Sequence, residues 1–452
     1  MNATDAIKQP LAQSVTPRSG QLGFWMCTAL VVGNTIGIGI FMQPASLAPY
    51  GLNAFIAWAI TVFGCVTLAI VFALLARNLA RADGPFEYMR STLGEFPAFL
   101  AIWCYWVSCW VTNAALAVGV IGYLNAALPM FGGISPAVMA VSLIWLFVAI
   151  NLLGARMGGR VQLLTTVLKL APMAVVIAAG LWLLLVEPAA YVQHVPTTPI
   201  TLQATLDAST IALFAMLGIE SATIPASKVR DPERTIPRAT VFGAILTALI
   251  YIAVTAIALL LIPQDDLAKS SAPFVDVLNR LVGGGGGGRW LAFFILVSGL
   301  GCLNGWTLLV AELTRTLAAN GLLPAPLASV NRYGAPFIAL LLTAALATVV
   351  TLMNYSKSLV DGFTFLSIVV TAANLPLYFC CGLALVVLWR RRSGTLTRTA
   401  LWLGVIGAAY SVFTIVGVGK EAFGWALALA AAGLPFYGLR LLRSRAAATA
   451  AR

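Results

Sequence analysis

Charge is what this chain has least of. Of its 452 residues only 9% are Asp, Glu, Lys or Arg, and His194 is the single histidine. With 60% hydrophobic residues and a mean hydropathy of +0.94, the composition excludes a soluble globular domain and defines a polytopic membrane protein. His194 stands between Gln193 and Val195 in a connecting stretch without partner ligands, so it reads as solvated. The seven cysteines (Cys27, Cys65, Cys104, Cys109, Cys302, Cys380, Cys381) fall inside apolar runs. They show neither metal-ligand spacing nor a disulfide framework and read as small apolar fillers, so no metal or cofactor is expected. The first 23 residues lack the apolar core of a cleavable signal peptide, and the first span itself is expected to direct insertion. Gly283 to Gly288 form a run of six glycines, but no strand precedes it and no Lys-Ser or Lys-Thr follows. It reads as a flexible connection rather than a phosphate loop.

What is abundant is apolar sequence in span-sized blocks. A membrane-crossing helix needs roughly 20 such residues. Blocks fall at 24–48, 53–76, 97–127, 134–153, 161–186, 205–227, 238–262, 289–318, 336–353, 358–389, 399–417 and 421–441. The expectation is an all-α membrane protein with twelve transmembrane helices. The net charge of +12 is distributed unevenly between the two sets of connections. With the N-terminus inside, 21 Lys and Arg residues fall on the inner set and 5 (Lys269, Arg280, Arg289, Lys357, Lys420) on the outer, leaving Lys169 within a span. That bias predicts cytoplasmic N- and C-termini and makes the basic character a topology signal, not a sign of a nucleic-acid partner. The sparing connections suit a bacterial cell inner membrane. The segment between Arg77 and Pro97 is too polar to span and reads as an amphipathic piece on the cytoplasmic surface.

One stretch interrupts the first span. Gly33-Asn34-Thr35-Ile36-Gly37-Ile38-Gly39-Ile40-Phe41 places three glycines and an Asn-Thr pair where the helix should be continuous. Unwound backbone at that depth is tolerated only where it lines a cavity or meets a ligand. A second interruption, at Leu217-Gly218 with Glu220 just beyond, lies in the sixth span. Two breaks five spans apart point to an inverted-repeat transporter with its site near the midplane. A zwitterionic amino acid suits such a site: N–H groups on one helix fragment take the carboxylate, and free carbonyls take the ammonium. Gly37, Ile38 and Gly39 are the expected carboxylate cradle, with the carbonyls near Thr35, Ile36, Phe214 and Leu217 facing the ammonium.

Other polar groups stand inside the spans. In the third, Tyr105, Cys109 and Asn113 follow at i, i+4 and i+8, with Ser108 and Thr112 beside them; the stripe is either helix-packing glue or cavity lining. Lys169, on the fifth span, costs about 2.5–3.5 kcal/mol to bury. It either snorkels past Arg160 or sits within the bundle as a proton-exchanging amine, and Pro172 nearby favours the second. Glu220 either satisfies loose donors or gates the path. Trp306, in Asn304-Gly305-Trp306-Thr307, is too deep for the interface and offers a ring face for a cation or an apolar group. Glu312 follows near the cytoplasmic end of that span. Thr371, Asn374 and Pro376 mark the tenth span as kinked.

These motifs resemble the amino acid–polyamine–organocation (APC) superfamily, of the basic amino acid/polyamine antiporter kind. The resemblance rests on Gly33-Asn34 with Gly37-x-Gly39-x-Phe41, and on Tyr105-Trp106 with Cys109-Trp110 and Asn113. It continues through Gly218-Ile219-Glu220-Ser221, Gly305-Trp306-Thr307-Leu308-Leu309 and Asn320-Gly321-Leu322-Leu323-Pro324. It implies a LeuT-like 5+5 inverted repeat with broken helices 1 and 6. The expected divisions are a tail at 1–23, a first repeat at 24–186, a second at 205–389, two further helices within 399–441, and a tail at 442–452. It further implies that Cys109 and Asn113 face a substrate side chain, that Trp306 stacks on it, that Glu220 lies on the path, and that Tyr105 helps close the external side. Ile38 and Phe214 stand where such antiporters carry a serine and a tryptophan, and Val369 stands about where a serine touches the guanidinium. These departures leave a neutral side-chain preference open. Lys169 matches a lysine of sodium-independent relatives, which implies sodium independence and a tie from helix 5 to helix 1 or helix 8.

The expected activity is exchange of amino acids or their amines by alternating access. The alternatives are a proton-coupled carrier or exporter of neutral amino acids and, more remotely, a non-transporting receptor. An enzyme is not expected, since only Glu220 and Lys169 offer reactive groups at depth. The expected partners are a small amino acid or amine, the lipid bilayer, and no nucleic acid, with protons and a second copy of the chain also considered.

Overall fold

In the computed structural model the described residues are 23–79, 84–153, 155–219, 229–282, 286–354, 356–391 and 396–450; side chains of 30, 34, 155–169, 232, 233 and 443–450 lie outside the description. Among the described residues there is no β-strand, and the chain is all-helical. The first span is two helices, α1 (Phe24–Thr35) and α2 (Ile38–Leu47). Then come α3 (Asn53–Asn78), α4 (Pro85–Leu93), α5 (Glu95–Ala127), α6 (Pro136–Leu152) and α7 (Ala155–Val186). The second half runs α8 (Leu202–Met216), α9 (Pro232–Leu261), the short α10 (Gln264–Lys269) and α11 (Pro273–Val282), then α12 (Gly287–Ala319), α13 (Phe337–Met353) and α14 (Leu359–Arg390). Finally come α15 (Arg398–Val416), α16 (Lys420–Ala431) and α17 (Leu434–Ala450). Seven stretches are long and apolar enough to cross a membrane, one of them Lys420–Leu442 across the α16–α17 joint; α1 with α2 makes an eighth as a bent pair, and four further apolar stretches, one of them Leu170–Val186 of α7, have 15 to 17 residues.

The axis of the bundle is α5. Every residue from Ala101 to Tyr123 is buried, as befits a helix apolar all round. Its 33 residues extend ~50 Å, with α4 at one end and α10–α11 at the other. It packs against α12 and α14, while α7 lies along α12 and α1 along α9. Two side-chain bonds bind this frame: Trp106 Nε1 donates to Thr314 Oγ1 at 2.7 Å, and Asn151 Nδ2 to Asn304 Oδ1 at 2.9 Å. The outer faces carry exposed apolar side chains such as Phe63, Trp182, Leu249, Trp290 and Trp402, the surface a bilayer covers.

Both expected interruptions are present. The α1 axis meets α2 at 47°, with Ile36 and Gly37 extended between them. At the second, α8 ends at Met216, Leu217 turns extended, and Gly218 takes φ 101°, which a glycine adopts without strain. Residues 220–228 lie outside the description, so the span expected at 205–227 is described only to Ile219. The last block, expected at 421–441, is one span-length stretch in which α16 and α17 meet at residues 432–433. At the joint Gly433 meets the Trp103 ring, where a Cβ would come within 2.7 Å, and Trp103 Nε1 donates to the Leu429 carbonyl at 2.9 Å.

Opposite α4, the α10–α11 segment closes over α2. Phe41 meets Phe274 at 4.9 Å between ring centroids and Tyr123 at 6.2 Å. The Tyr123 hydroxyl donates to the Phe41 carbonyl at 2.7 Å and accepts from Phe274 N at 3.4 Å. The close fit depends on Gly122, where any Cβ would fall 1.9 Å from the Ser271 carbonyl oxygen.

Candidate substrate site

The two breaks face one another. Between them lies a cavity lined by Thr35, Gly37 and Gly39 of the first span, Phe214, Ala215 and Leu217 of the sixth, Thr112 and Leu116 of α5, and Cys302 and Trp306 of α12. Its open volume is about 30 Å³, room for a water or two. Ligand cavities run to about 300 Å³ and more, so a substrate enters only as side chains move aside.

The helix ends are held by specific bonds. The Thr35 carbonyl accepts from the Tyr251 hydroxyl at 2.9 Å, and Thr35 Oγ1 donates to the Val31 carbonyl at 2.8 Å. The carbonyl expected to face an ammonium therefore already has one partner, and its second lone pair is what remains for a ligand. Gln43 Nε2 donates to the Ile211 carbonyl at 2.5 Å, fastening α2 to α8 across the site. Gly37 leaves room for Cys302, whose Sγ would lie 2.8 Å from a Cβ there, and Gly39 for the Phe214 ring, 3.0 Å from its own. Phe214 in turn meets Phe363 edge-on at 5.7 Å. These glycines serve close approach, since Gly37 at φ −124° is ordinary extended backbone.

Of the residues expected from the sequence, Thr35, Gly37, Gly39, Phe214, Leu217 and Trp306 line the cavity; Ile36 is buried beside them. Ile38 turns away and packs among Gly119 and Gly299, so its lack of a hydroxyl removes nothing from the cavity wall. Ser108, Cys109 and Asn113 are buried on α5 but do not line the cavity, which takes Thr112 and Leu116 from that helix instead. A strict i+4 ladder drifts ~40° per step around a helix of 3.6 residues per turn, so Asn113 has rotated off the face that Tyr105 begins. The Ser108 hydroxyl donates to the Tyr105 carbonyl at 2.7 Å and accepts from Asn374 Nδ2 at 3.4 Å. Among the described residues, Asn113 Oδ1 and Asn374 Oδ1 are buried acceptors without a partner.

Three placements differ from expectation. Tyr105, implied to close the external side, lines a separate cavity of about 300 Å³ at the α4 end, with Phe86, Leu309 and Glu312. It lies near the N-terminal end of α5, which begins where α4 stops, and so belongs to that end. Val369 lines a different cavity with Trp110 and Trp425; the α14 face turned to the site carries Phe363 and Thr371, the latter donating to the Thr210 carbonyl at 3.3 Å. Cys302, read as filler, is part of the cavity wall. Its signal was one turn away, four residues before Trp306 on the same helix face. The side chain of Lys169 and all of Glu220 lie outside the described residues.

A bundle of apolar helices with a small cavity between two helix breaks defines a membrane transporter. The chain belongs to the amino acid permease family, whose model matches residues 22–421. It is 32% identical over 431 residues to a Bacillus subtilis (strain 168) protein provisionally named an arginine/ornithine antiporter, covering 87% of this chain and 91% of that one. It is 30% identical over 376 residues to the cadaverine/lysine antiporter of Escherichia coli (strain K12), covering 80% and 82%. It is 28% identical over 436 residues to the putrescine transporter PotE of Haemophilus influenzae, covering 94% and 98%. It is therefore a multi-pass secondary transporter.

Proposed function

We propose that this chain exchanges a basic amino acid for its amine, or for another basic amino acid, by alternating access around the Gly37–Leu217 cavity. The observation that carries this reading is that residues of both helix breaks line one cavity, with Trp306 in its wall. The Gly37 to Gly39 amides stand at the start of α2, where unpaired N–H groups and the helix dipole suit a carboxylate. The Trp306 ring suits an alkylammonium or guanidinium group. The named activities of the three relatives, all on basic amino acids or diamines, support the substrate class. In this reading the apolar segments form twelve spans, arranged as two inverted five-helix repeats followed by two more helices. Both termini face the cytoplasm of a bacterial inner membrane, transport is sodium-independent, and Lys169 and Glu220 handle coupling and gating.

Alternating access then requires α1–α2 and α8 to shift against the α5–α12 frame. The Gln43–Ile211 bond favours movement of α2 and α8 as one piece. The end sealed by Phe41, Phe274 and Tyr123 opens in the opposite state. A second reading, proton-coupled carriage of a neutral amino acid, draws on one observation: no described residue lining the cavity is charged. Proteoliposomes loaded with one amino acid and offered another decide between them. Uptake that needs internal lysine, ornithine or putrescine supports exchange; uptake into empty vesicles that collapses with the proton gradient contradicts it.

A further inference from the structure

A second cavity is lined by the same two helices, α5 and α12, as the first. Along α12, the cavity face passes from Cys302 and Trp306 to Leu309, Glu312, Leu313 and Thr316 in steps of three or four residues. Along α5 it passes from Leu116 and Thr112 to Tyr105 and Ile102. The helix spacing separates Trp306 from Glu312 by ~9 Å along the axis. The lower cavity holds about 300 Å³. Its deep end is walled by the buried Ile102 and Tyr105, and its mouth by the exposed Thr316 and Asn320 beside α4.

Glu312 is the only charged side chain among the described residues that line it. Glu312 Oε2 accepts from Arg315 Nε at 2.8 Å, but Arg315 does not line the cavity. The guanidinium thus holds the carboxylate from outside, while Oε1 has no hydrogen bond to any described residue. An anion in the wall of a largely apolar cavity, with the Tyr105 ring also in the wall, fits an alkylammonium or guanidinium group. It does not fit an anion.

Resting on the exchange reading above, we propose that this cavity is a second, transient substrate site, in which Glu312 receives the side-chain cation of a basic amino acid or diamine before it reaches Trp306. The carboxylate also offsets a local problem. The α4 end carries Arg90 and Arg315 and, in the expected topology, most of the chain's basic residues, a field that repels cations. Glu312 makes the cavity selective by charge, while the Gly37–Gly39 backbone recognises the amino acid itself.

The test compares KM values for putrescine, lysine and leucine in inside-out and right-side-out vesicles. Glu312→Gln should raise the KM of putrescine and lysine relative to leucine by roughly fivefold, the upper range for a part-exposed ion pair, and only from the α4 side. Arg315→Gln, which frees the carboxylate, should shift the same ratio the other way. Glu312→Asp should keep most of the wild-type ratio. An unchanged ratio in Glu312→Gln, an equal shift from both sides, or an aspartate variant that behaves like the glutamine one overturns the proposal. So does a wild-type protein that carries leucine and refuses both basic substrates. If Trp306→Ala still weakens binding in those cases, the upper site stands and only the lower one falls. If Trp306→Ala binds normally, the exchange reading itself has failed.

Discussion

The Tyr251 hydroxyl on α9 donates to the Thr35 carbonyl at 2.9 Å, giving a partner to the last carbonyl of α1 where the helix stops. Buried polar groups in a membrane interior have no water to fall back on. Tyr251→Phe should therefore cost about 1–3 kcal/mol of stability, read as a lower melting temperature in detergent. A melting temperature equal to wild type would mean that the carbonyl finds another donor.

Gly37→Ala introduces a Cβ 2.8 Å from Cys302 Sγ. Both atoms lie in the cavity wall, so the added carbon should lower substrate affinity by roughly tenfold, about 1.4 kcal/mol. Cys302→Gly in the same chain removes the collision and should restore part of that loss. Equilibrium binding in a double-mutant cycle measures the coupling; additive effects would place Cys302 away from the substrate.

Both breaks were legible in the sequence because glycine is the residue that most weakens a helix, and here it falls inside otherwise unbroken apolar runs. The cavity wall was legible at Thr35, Gly37, Gly39, Phe214, Leu217 and Trp306. Thr112 was visible only as one member of a polar stripe with two readings, and Leu116, Ala215 and Cys302 were not legible, because a small or apolar residue leaves no polar mark on an already apolar helix. Asn113 and Val369, suggested by chemistry and by alignment, do not line this cavity: helical phase sets Asn113 off the Thr112 face, and Val369 lines another cavity. The joint at Gly433 was hidden because the Trp103 ring that occupies it lies more than 300 residues away in sequence.

Gly122→Ala drives a Cβ into the Ser271 carbonyl, a backbone atom that cannot rotate aside. Overpacking of this kind costs about 1–3 kcal/mol, and the strain falls on the connection to α10–α11. Hydrogen exchange across 264–282 should accelerate while α5 and α12 remain protected. Unchanged exchange there would show that the segment is held by other contacts.

Lys169→Ala tests the coupling role proposed for the fifth span. Flux should fall at least tenfold, equivalent to about 1.4 kcal/mol, while the melting temperature changes little. Normal flux with an unaltered pH profile would remove Lys169 from the mechanism.

In the proposed function, substrate occupies the cavity between the two helix breaks, against Trp306. Equilibrium binding of labelled lysine and putrescine to purified wild-type and Trp306→Ala protein tests it most directly. An aromatic ring facing a desolvated cation contributes about 2 kcal/mol, so the variant should bind each ligand more than tenfold more weakly while keeping its melting temperature. Wild-type affinity in a folded Trp306→Ala protein would contradict the account and place the substrate elsewhere.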